Sequence, residues 1–157
     1  MANDEYDKVE LPALNQLQSL GWIYVEGSAL SSEESDERKS FKDVVLVKRL
    51  SQSIQKINPW INDENLRKVV RDLTRAQFQN LIEANQSNWE ELTQYISVIQ
   101  DRGQGNKGQT VKIIDFDHPE KNEFLCTNQF KVSGVKQNII PDIILFVNGL
   151  PLAVIEC

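Results

Sequence analysis

The chain has 157 residues, of which 40% are hydrophobic and 25% are charged, and its formal net charge is −6. This composition suits one globular domain, and it excludes a membrane protein because no apolar stretch approaches the roughly 20 residues that span a bilayer. The acidic N-terminus lacks the basic patch and apolar run of a signal peptide, so we expect a single cytoplasmic domain over residues 1–157.

Helical spacing of apolar residues marks the first two thirds of the chain. The predicted elements, in chain order, are a helix at 7–20, a strand at 22–25, a polar loop at 26–40, a helix between 41 and 60 that ends at Asn58 and Pro59, and helices at 63–82 and 88–99. Gly21 is a typical C-terminal stop for the first helix. Asp63 and Asn88 are typical N-caps for the last two helices.

A basic stripe is predicted on the helix that begins at Asp63, where Arg67, Arg71 and Arg75 recur every four residues. Such a stripe is suited to contact DNA phosphates, although a run of this kind with acids nearby is more typical of a solvated helix face. The acidic net charge also argues against DNA binding without the help of other domains or subunits.

A loop at 101–109 precedes four segments that are predicted as strands, at 111–116, 123–132, 139–147 and 150–157. The glycines of this loop fit G-x-G-x-x-G, but they follow a helix and precede a strand, the reverse of the order in a dinucleotide site. We therefore interpret them as a loop. Asp115, Asp117 and His118 form a rival metal cluster on paper, which we interpret instead as polar residues at a strand end.

Helices first and strands afterwards predict an α+β or α/β fold rather than a Rossmann alternation. The last two segments are apolar on both faces, so they are expected to be central strands that are covered on each side. Two acids interrupt this apolar pair of strands, namely Asp142 and Glu156.

Whether Asp142 and Glu156 share a face depends on the turn at 148–149, because side chains alternate along a strand. A strict two-residue turn pairs Asp142 with Ile155 and sends Glu156 to the other face. A loop with an odd number of residues, such as one with a glycine bulge, shifts the register by one and brings both carboxylates together. Two acids in an apolar sheet then need compensation by a shared proton, a base or a divalent cation such as Mg²⁺.

The stretch PDIILFVNGLPLAVIEC, from Pro141 to Cys157, resembles the PD-(D/E)xK nuclease signature. More closely, it is similar to the N-terminal nuclease domain of the restriction (R) subunit of type I restriction-modification enzymes. The family pattern PDIVLFVNGLPLVVIELK places Asp142 and Glu156 on its two metal-binding acids. The resemblance continues in NEFLCTNQFKV and in VELPALNQLQSLGWIYVEG, where Glu10 falls on an acid of the first helix, a position that the helix dipole also favours.

The resemblance implies a restriction-endonuclease-like α/β fold, in which helices flank a mixed central sheet. It also implies a Mg²⁺-dependent endonuclease that hydrolyses foreign, unmodified double-stranded DNA. Asp142, Glu156 and Glu10 would be its catalytic acids, with Asp142 and Glu156 as the metal ligands. It also implies a fragment that is inactive alone, because the family's lysine would follow Cys157, and that works with modification and specificity subunits. ATP would serve only an absent translocase, since no G-x-x-x-x-G-K-S/T loop occurs here.

Two other functions stay open at this point. A docking module would use the same fold only to join the nuclease subunit to its partners, and the acidic surface fits that reading. A nucleotide-binding protein that uses the glycine loop at 103–108 is the weaker alternative.

Overall fold

The computed structural model describes residues 6–31, 33–74, 81–94, 96–134 and 136–157. The chain divides into two compact units: a sheet unit of residues 1–48 and 123–157, and a helical unit of residues 49–122. The expected combination of helices with a mixed sheet is confirmed. The expectation of a single domain that is incomplete at its C-terminal end stays a prediction.

Four α-helices and eight strands occur in the described residues. The helices are α1 (Leu11–Ser19), α2 (Val47–Ile57), α3 (Asp63–Thr74) and α4 (Leu81–Gln94), with a π-helical turn at Tyr6–Glu10 and 3₁₀ turns at Gly27–Leu30 and Pro119–Lys121. The strands are β1 (Ile23–Tyr24), β2 (Ile96–Asp101), β3 (Asn106–Val111), β4 (Phe124–Asn128), β5 (Val132–Ser133), β6 (Asn138–Ile139), β7 (Ile143–Val147) and β8 (Leu150–Ile155). None of these helices has the length and apolar content needed to cross a membrane.

The sheet unit is built around a four-stranded mixed sheet with the order β1-β4-β7-β8. β1 runs parallel to β4, and the other neighbouring strands are antiparallel. One buried cluster contains Leu30, Leu46, Leu125, Phe130, Ile144 and Phe146. A second cluster packs Leu14 of α1 against Cys126 and Ile143. Alternation along the strands places the two clusters on opposite faces, so the sheet is the centre of this unit.

The helix predicted at 41–60 begins only at Val47. Ahead of it, Asp43 Oδ2 accepts the backbone N–H groups of Lys39 and Ser40 at 3.1 and 3.0 Å, which fixes a turn. Leu46 is fully buried and donates its N–H to the Gly149 carbonyl at 2.9 Å. Leu46 therefore serves the core of the sheet unit rather than a helix face.

The prediction of a helix at 88–99 is wrong at both ends. α4 begins at Leu81, so Asn88 lies inside it and is not a cap, and Ile96 and Ile99 belong to β2. β2 pairs with β3 over six residue pairs, so the loop predicted at 101–109 is largely strand. Apolar residues at this spacing fit a helix or a strand, and the partner strand decides between them.

The strand predicted at 111–116 is wrong after its first residue, because only Val111 belongs to a strand. The residue after Val111, Lys112, forms its backbone hydrogen bonds with the side chain of Asn58. The Nδ2 of Asn58 donates to the Lys112 carbonyl at 2.8 Å, and its Oδ1 accepts the Lys112 N–H at 3.0 Å. These two bonds satisfy the groups that a neighbouring strand would otherwise pair.

Of the two strands expected to be central, β7 is confirmed, since it lies between β4 and β8. β8 is instead the edge of this sheet among the described residues. Leu152 and Val154 on β8 are 46% and 56% exposed, so the expectation that both strands are covered on each side is wrong for β8.

A buried cation fixes the segment that follows β4. Arg38 is buried, and its guanidinium carbon lies 4.0 Å from the ring centroid of Phe130. Its Nη2 donates to the Lys131 carbonyl at 2.8 Å. Burial lowers the pKa of Arg38, and the charge of Asp43 partly opposes this effect. The stacking and the hydrogen bond together hold the chain directly after the strand that carries Asn128.

Candidate active site

The hairpin of β7 and β8 turns through Asn148 and Gly149, whose φ angles are +54° and +82°. Both angles lie in the left-handed region that a primed two-residue turn requires, and Val147 pairs directly with Leu150. Asn148 is anchored to the strand before it, since its Oδ1 accepts the Glu123 N–H at 2.8 Å and its N–H donates to the Glu123 carbonyl at 2.9 Å. The turn is therefore the strict two-residue alternative.

The register nevertheless shifts by one residue, inside the strand rather than in the turn. The pairs run, from the turn outward, Val147–Leu150, Phe146–Pro151, Leu145–Ala153, Ile144–Val154 and Ile143–Ile155. Leu152 has no partner in this series and forms a β-bulge. Continued by one residue beyond Ile143–Ile155, this register sets Asp142 opposite Glu156 at the open end of the hairpin, the result that an odd-membered loop was expected to give.

The two acids differ in their surroundings. Asp142 is half-buried, and its Oδ2 accepts the N–H of Cys157 at 2.7 Å. Its Oδ1 has no hydrogen-bond partner among the described residues, and Glu156 is exposed. The expectation that both carboxylates lose their water inside an apolar sheet is therefore wrong, because Glu156 remains solvated and its burial cost is small.

Glu10 lies in a buried polar network at the start of α1. It is 4% exposed and makes no capping hydrogen bond to the helix. Its Oε1 instead accepts the Nδ2–H of Asn128, the last residue of β4, at 2.7 Å. The Oδ1 of Asn128 accepts the hydroxyl of Tyr24 in β1 at 2.8 Å. The carboxylate of Glu10 thus serves this network and not the helix terminus.

Glu10 lies at the same end of the sheet as Asp142 and Glu156. The residue that it contacts, Asn128, lies one residue pair further from that end, in a row of paired residues across the strands. Asn128 pairs with Ile143 of β7, whereas Asp142 and Glu156 are one residue outside that row. Within the described part of the chain, no three or more His, Cys, Asp or Glu side chains are grouped closely enough to hold a metal ion. Glu10 therefore does not complete a three-acid metal group with Asp142 and Glu156.

The protonation of Tyr24 fixes the orientation of the Asn128 amide. Burial raises the pKa of Tyr24 above its ordinary value, and the nearby Tyr6, Glu26 and Glu10 raise it further. The hydroxyl therefore keeps its proton and donates to the amide oxygen, which turns the amide nitrogen toward Glu10. Neither Tyr24 nor Asn128 was predicted from the sequence. The only sequence sign of them was a polar residue at the end of an otherwise apolar strand.

The basic stripe on α3 is described only in part. Arg67 and Arg71 are exposed, and Arg75 lies outside the described residues. Arg71 Nε lies 3.6 Å from Asp72 Oδ1, and such an exposed pair contributes little to stability. Contact of the stripe with DNA stays a prediction.

The rival cluster is held by lysines. Asp115 is buried, and its Oδ1 accepts the Lys112 ammonium at 3.2 Å and the His118 N–H at 3.3 Å, while its Oδ2 lies 3.6 Å from Lys121 Nζ. Lys112 also donates to Asp117 at 2.6 Å. These bonds neutralise both acids, which fits their interpretation as structural polar residues.

We expect Asp115→Asn to lower the melting temperature at neutral pH. Burial opposes the ionisation of Asp115, but Lys112, the N–H of His118 and Lys121 together lower its pKa below the ordinary value. A carboxyl whose pKa is lower in the folded state stabilises the fold above its unfolded pKa, and this contribution is lost as the pH falls toward the folded value. The difference between wild type and variant should therefore shrink below about pH 4.

Thermal melts of both proteins from neutral to strongly acidic pH measure this difference. Asp117→Asn, which removes the exposed acid bound by the same lysine, is the matched control and should change the melting temperature much less. A difference for Asp115→Asn that stays constant with pH would contradict the assignment.

Comparison with known proteins gives consistent matches. A family model described as the type I restriction enzyme R protein N terminus matches residues 3–157. The chain is 34% identical over 157 residues to the putative type I restriction enzyme MjaIXP endonuclease subunit of Methanocaldococcus jannaschii, which covers 98% of this chain and 15% of that protein. It is 35% identical over 150 residues to the type I restriction enzyme HindI endonuclease subunit of Haemophilus influenzae, which covers 94% of this chain and 14% of that protein. The chain thus spans about one seventh of the length of these relatives.

Proposed function

Because the chain belongs to the family of N-terminal domains of type I restriction enzyme R proteins, we propose that it is the DNA-cleaving domain of such a subunit. It would have a restriction-endonuclease-like fold and hydrolyse phosphodiester bonds of foreign double-stranded DNA, in the cytoplasm and in a complex with modification and specificity subunits. The observation that supports this best is the β-bulge at Leu152, which sets Asp142 opposite Glu156.

The two hairpin acids suit Mg²⁺ as a cofactor. Mg²⁺ is usually bound by one or two carboxylates together with waters and substrate phosphates. Glu156 is exposed, and Asp142 keeps its Oδ1 available beyond the oxygen that accepts the Cys157 N–H. When bound, the ion would polarise a phosphodiester oxygen and lower the pKa of a coordinated water.

The other residues of the proposed site act by position and charge. The N–H of Cys157 fixes the orientation of the Asp142 carboxylate, and Asn128 fixes that of Glu10. Glu10 would assist from the row behind, where its negative charge attracts a cation to the end of the sheet. Arg67 and Arg71, with Arg75, would contact phosphates of the DNA backbone, and ATP would serve only a translocase outside this chain.

Calorimetric titration of the chain with Mn²⁺ tests the metal site. We expect binding that Asp142→Asn and Glu156→Gln each weaken by about tenfold or more, since each change removes a charged ligand. Glu33→Gln removes an exposed acid of the same unit and is the matched control. No binding at all, or binding that Asp142→Asn leaves unchanged, would count against the proposal.

The exposed apolar side chains of Leu152 and Val154 on the edge strand favour a second candidate function, a docking module without catalysis. The two functions differ in one measurable respect. If the domain is a nuclease, loss of Asp142 or Glu156 abolishes cleavage and leaves assembly intact. If it is a docking module, the same change alters neither cleavage nor assembly.

A further inference from the structure

The β2–β3 hairpin of the helical unit has a rigid tip at residues 102–105. The Oδ1 of Asp101 accepts the backbone N–H groups of Gly103, Gln104 and Gly105 at 2.7, 3.0 and 2.9 Å. Gly103 and Gly105 have φ angles of +90° and +80°, which favour glycine. The glycines therefore shape a hairpin tip and not a phosphate loop before a helix, and the charge of Asp101 is bound by the backbone of the tip.

Two cations at this tip form no ion pair with an acid of the described residues. A cleft beside the tip is lined by Arg102, Gln104, Gly105, Lys107 and Gln109. Arg102 Nη1 donates to Gln109 Oε1 at 3.4 Å, and Lys107 Nζ donates to Gln104 Oε1 at 3.2 Å. Both acceptors are neutral amides, and neither cation has a carboxylate partner in the part of the chain that is described. The tip is thus locally positive in a protein whose net charge is −6.

The remaining groups of the cleft also suit an anion. The guanidinium of Arg102 lies 5.1 Å from the ring centroid of Trp60, and this stacking limits its motion. The amide nitrogens of Gln104 and Gln109 are further donors beside the two cations. At Gly105 no atom lies within 4 Å of the place that a side chain would occupy, so the backbone is open to close approach.

We propose that the β2–β3 hairpin binds the phosphodiester backbone of DNA through Arg102 and Lys107. The choice of DNA over another polyanion rests on the proposed function. Repeated phosphates, rather than one buried nucleotide, fit the open cleft, because an exposed pair of cations gains most from a chain of charges. Contacts of this kind position a duplex and carry no sequence information.

Fluorescence anisotropy with a short labelled duplex, in buffer without divalent metal, tests the proposal on the intact chain. At low salt we expect Arg102→Gln/Lys107→Gln to weaken binding by about tenfold and to reduce the slope of log K against log salt by about 2, one for each lost phosphate contact. Lys42→Gln/Lys56→Gln is the matched control, because it makes the same change in net charge at exposed lysines that lie outside both the hairpin and α3. This control should keep most of the affinity.

Three outcomes would overturn the proposal: no binding by the wild type at low salt, equal losses in the hairpin and control variants, or wild-type DNA binding by a hairpin variant that no longer joins the other subunits. The last outcome would assign the hairpin to a protein partner. Because this assay contains no metal and measures no cleavage, its failure leaves the Mn²⁺ titration unaffected, and a failure of the metal site leaves hairpin-dependent binding intact.

Discussion

Asp142→Asn, placed in an R subunit that contains this domain, is expected to slow the proposed DNA cleavage in Mg²⁺ buffer by about a thousandfold or more. The change removes one charged ligand of the proposed metal site, and a loss of about 4 kcal/mol in transition-state stabilisation corresponds to this factor. Asparagine still offers an oxygen to the Cys157 N–H, so the open end of the hairpin should keep its geometry. Glu156→Gln should have a similar effect. The rate of plasmid cleavage by the assembled complex measures both changes.

Glu33→Gln, which also removes one exposed carboxylate from the sheet unit, controls for the change in net charge and should leave the cleavage rate unaltered. Assembly with the modification and specificity subunits, followed by light scattering, shows whether each variant complex is intact. Cleavage at the wild-type rate by an intact complex that carries Asp142→Asn would favour the docking module over the nuclease.

Asn128→Ala is expected to lower the free energy of unfolding by about 3 kcal/mol, because it leaves a buried carboxylate without its donor. The Oε1 of Glu10 would lose the 2.7 Å hydrogen bond from Nδ2, and the hydroxyl of Tyr24 would lose its acceptor. Urea denaturation monitored by circular dichroism measures this change.

Two further variants separate the charged contact of Asn128 from the neutral one. Tyr24→Phe removes only a neutral hydrogen bond and should cost about 1 kcal/mol. Glu10→Gln, added to Asn128→Ala, should restore part of the lost stability, since an unpaired amide costs less to bury than an unpaired carboxylate. If the double variant is less stable than Asn128→Ala alone, the carboxylate of Glu10 is not what Asn128 stabilises.

The helix ends that neighbouring residues mark, such as a cap or a glycine stop, were predicted correctly from the sequence. α3 begins at the predicted cap Asp63, and α1 ends just before Gly21, whose φ of +94° suits a helix stop. The segment at 88–99 was assigned wrongly because its apolar spacing fits either period. Its partner strand, β3, is polar and rich in glycine, so nothing local marked it as a strand.

The candidate site shows the same division between local and distant information. The motif in PDIILFVNGLPLAVIEC predicted a site at Asp142 and Glu156, and this role stays a prediction. Alternation tied their meeting to a shift of one residue, which the strand register contains. The shift falls at Leu152, directly after Pro151, and proline is typical of edge strands and bulges because it lacks an N–H. Tyr24 and Glu10 lie 104 and 118 residues before Asn128, so their network exists only once the fold has joined distant segments.

The parallel pairing of β1 with β4 determines when, during refolding, Glu10 reaches the end of the sheet that carries Asp142 and Glu156. It joins Ile23 to Leu125, about 100 residues apart, and closing so long a loop costs entropy before any contact compensates for it. The β7–β8 hairpin needs only a two-residue turn and forms in about 1–10 μs. Asp142 and Glu156 should therefore meet early, and Glu10 should arrive in the slow final step. Trp22, whose ring lies 5.2 Å from that of Phe124, would report this step in stopped-flow fluorescence, and a single fast phase would refute the sequence of events.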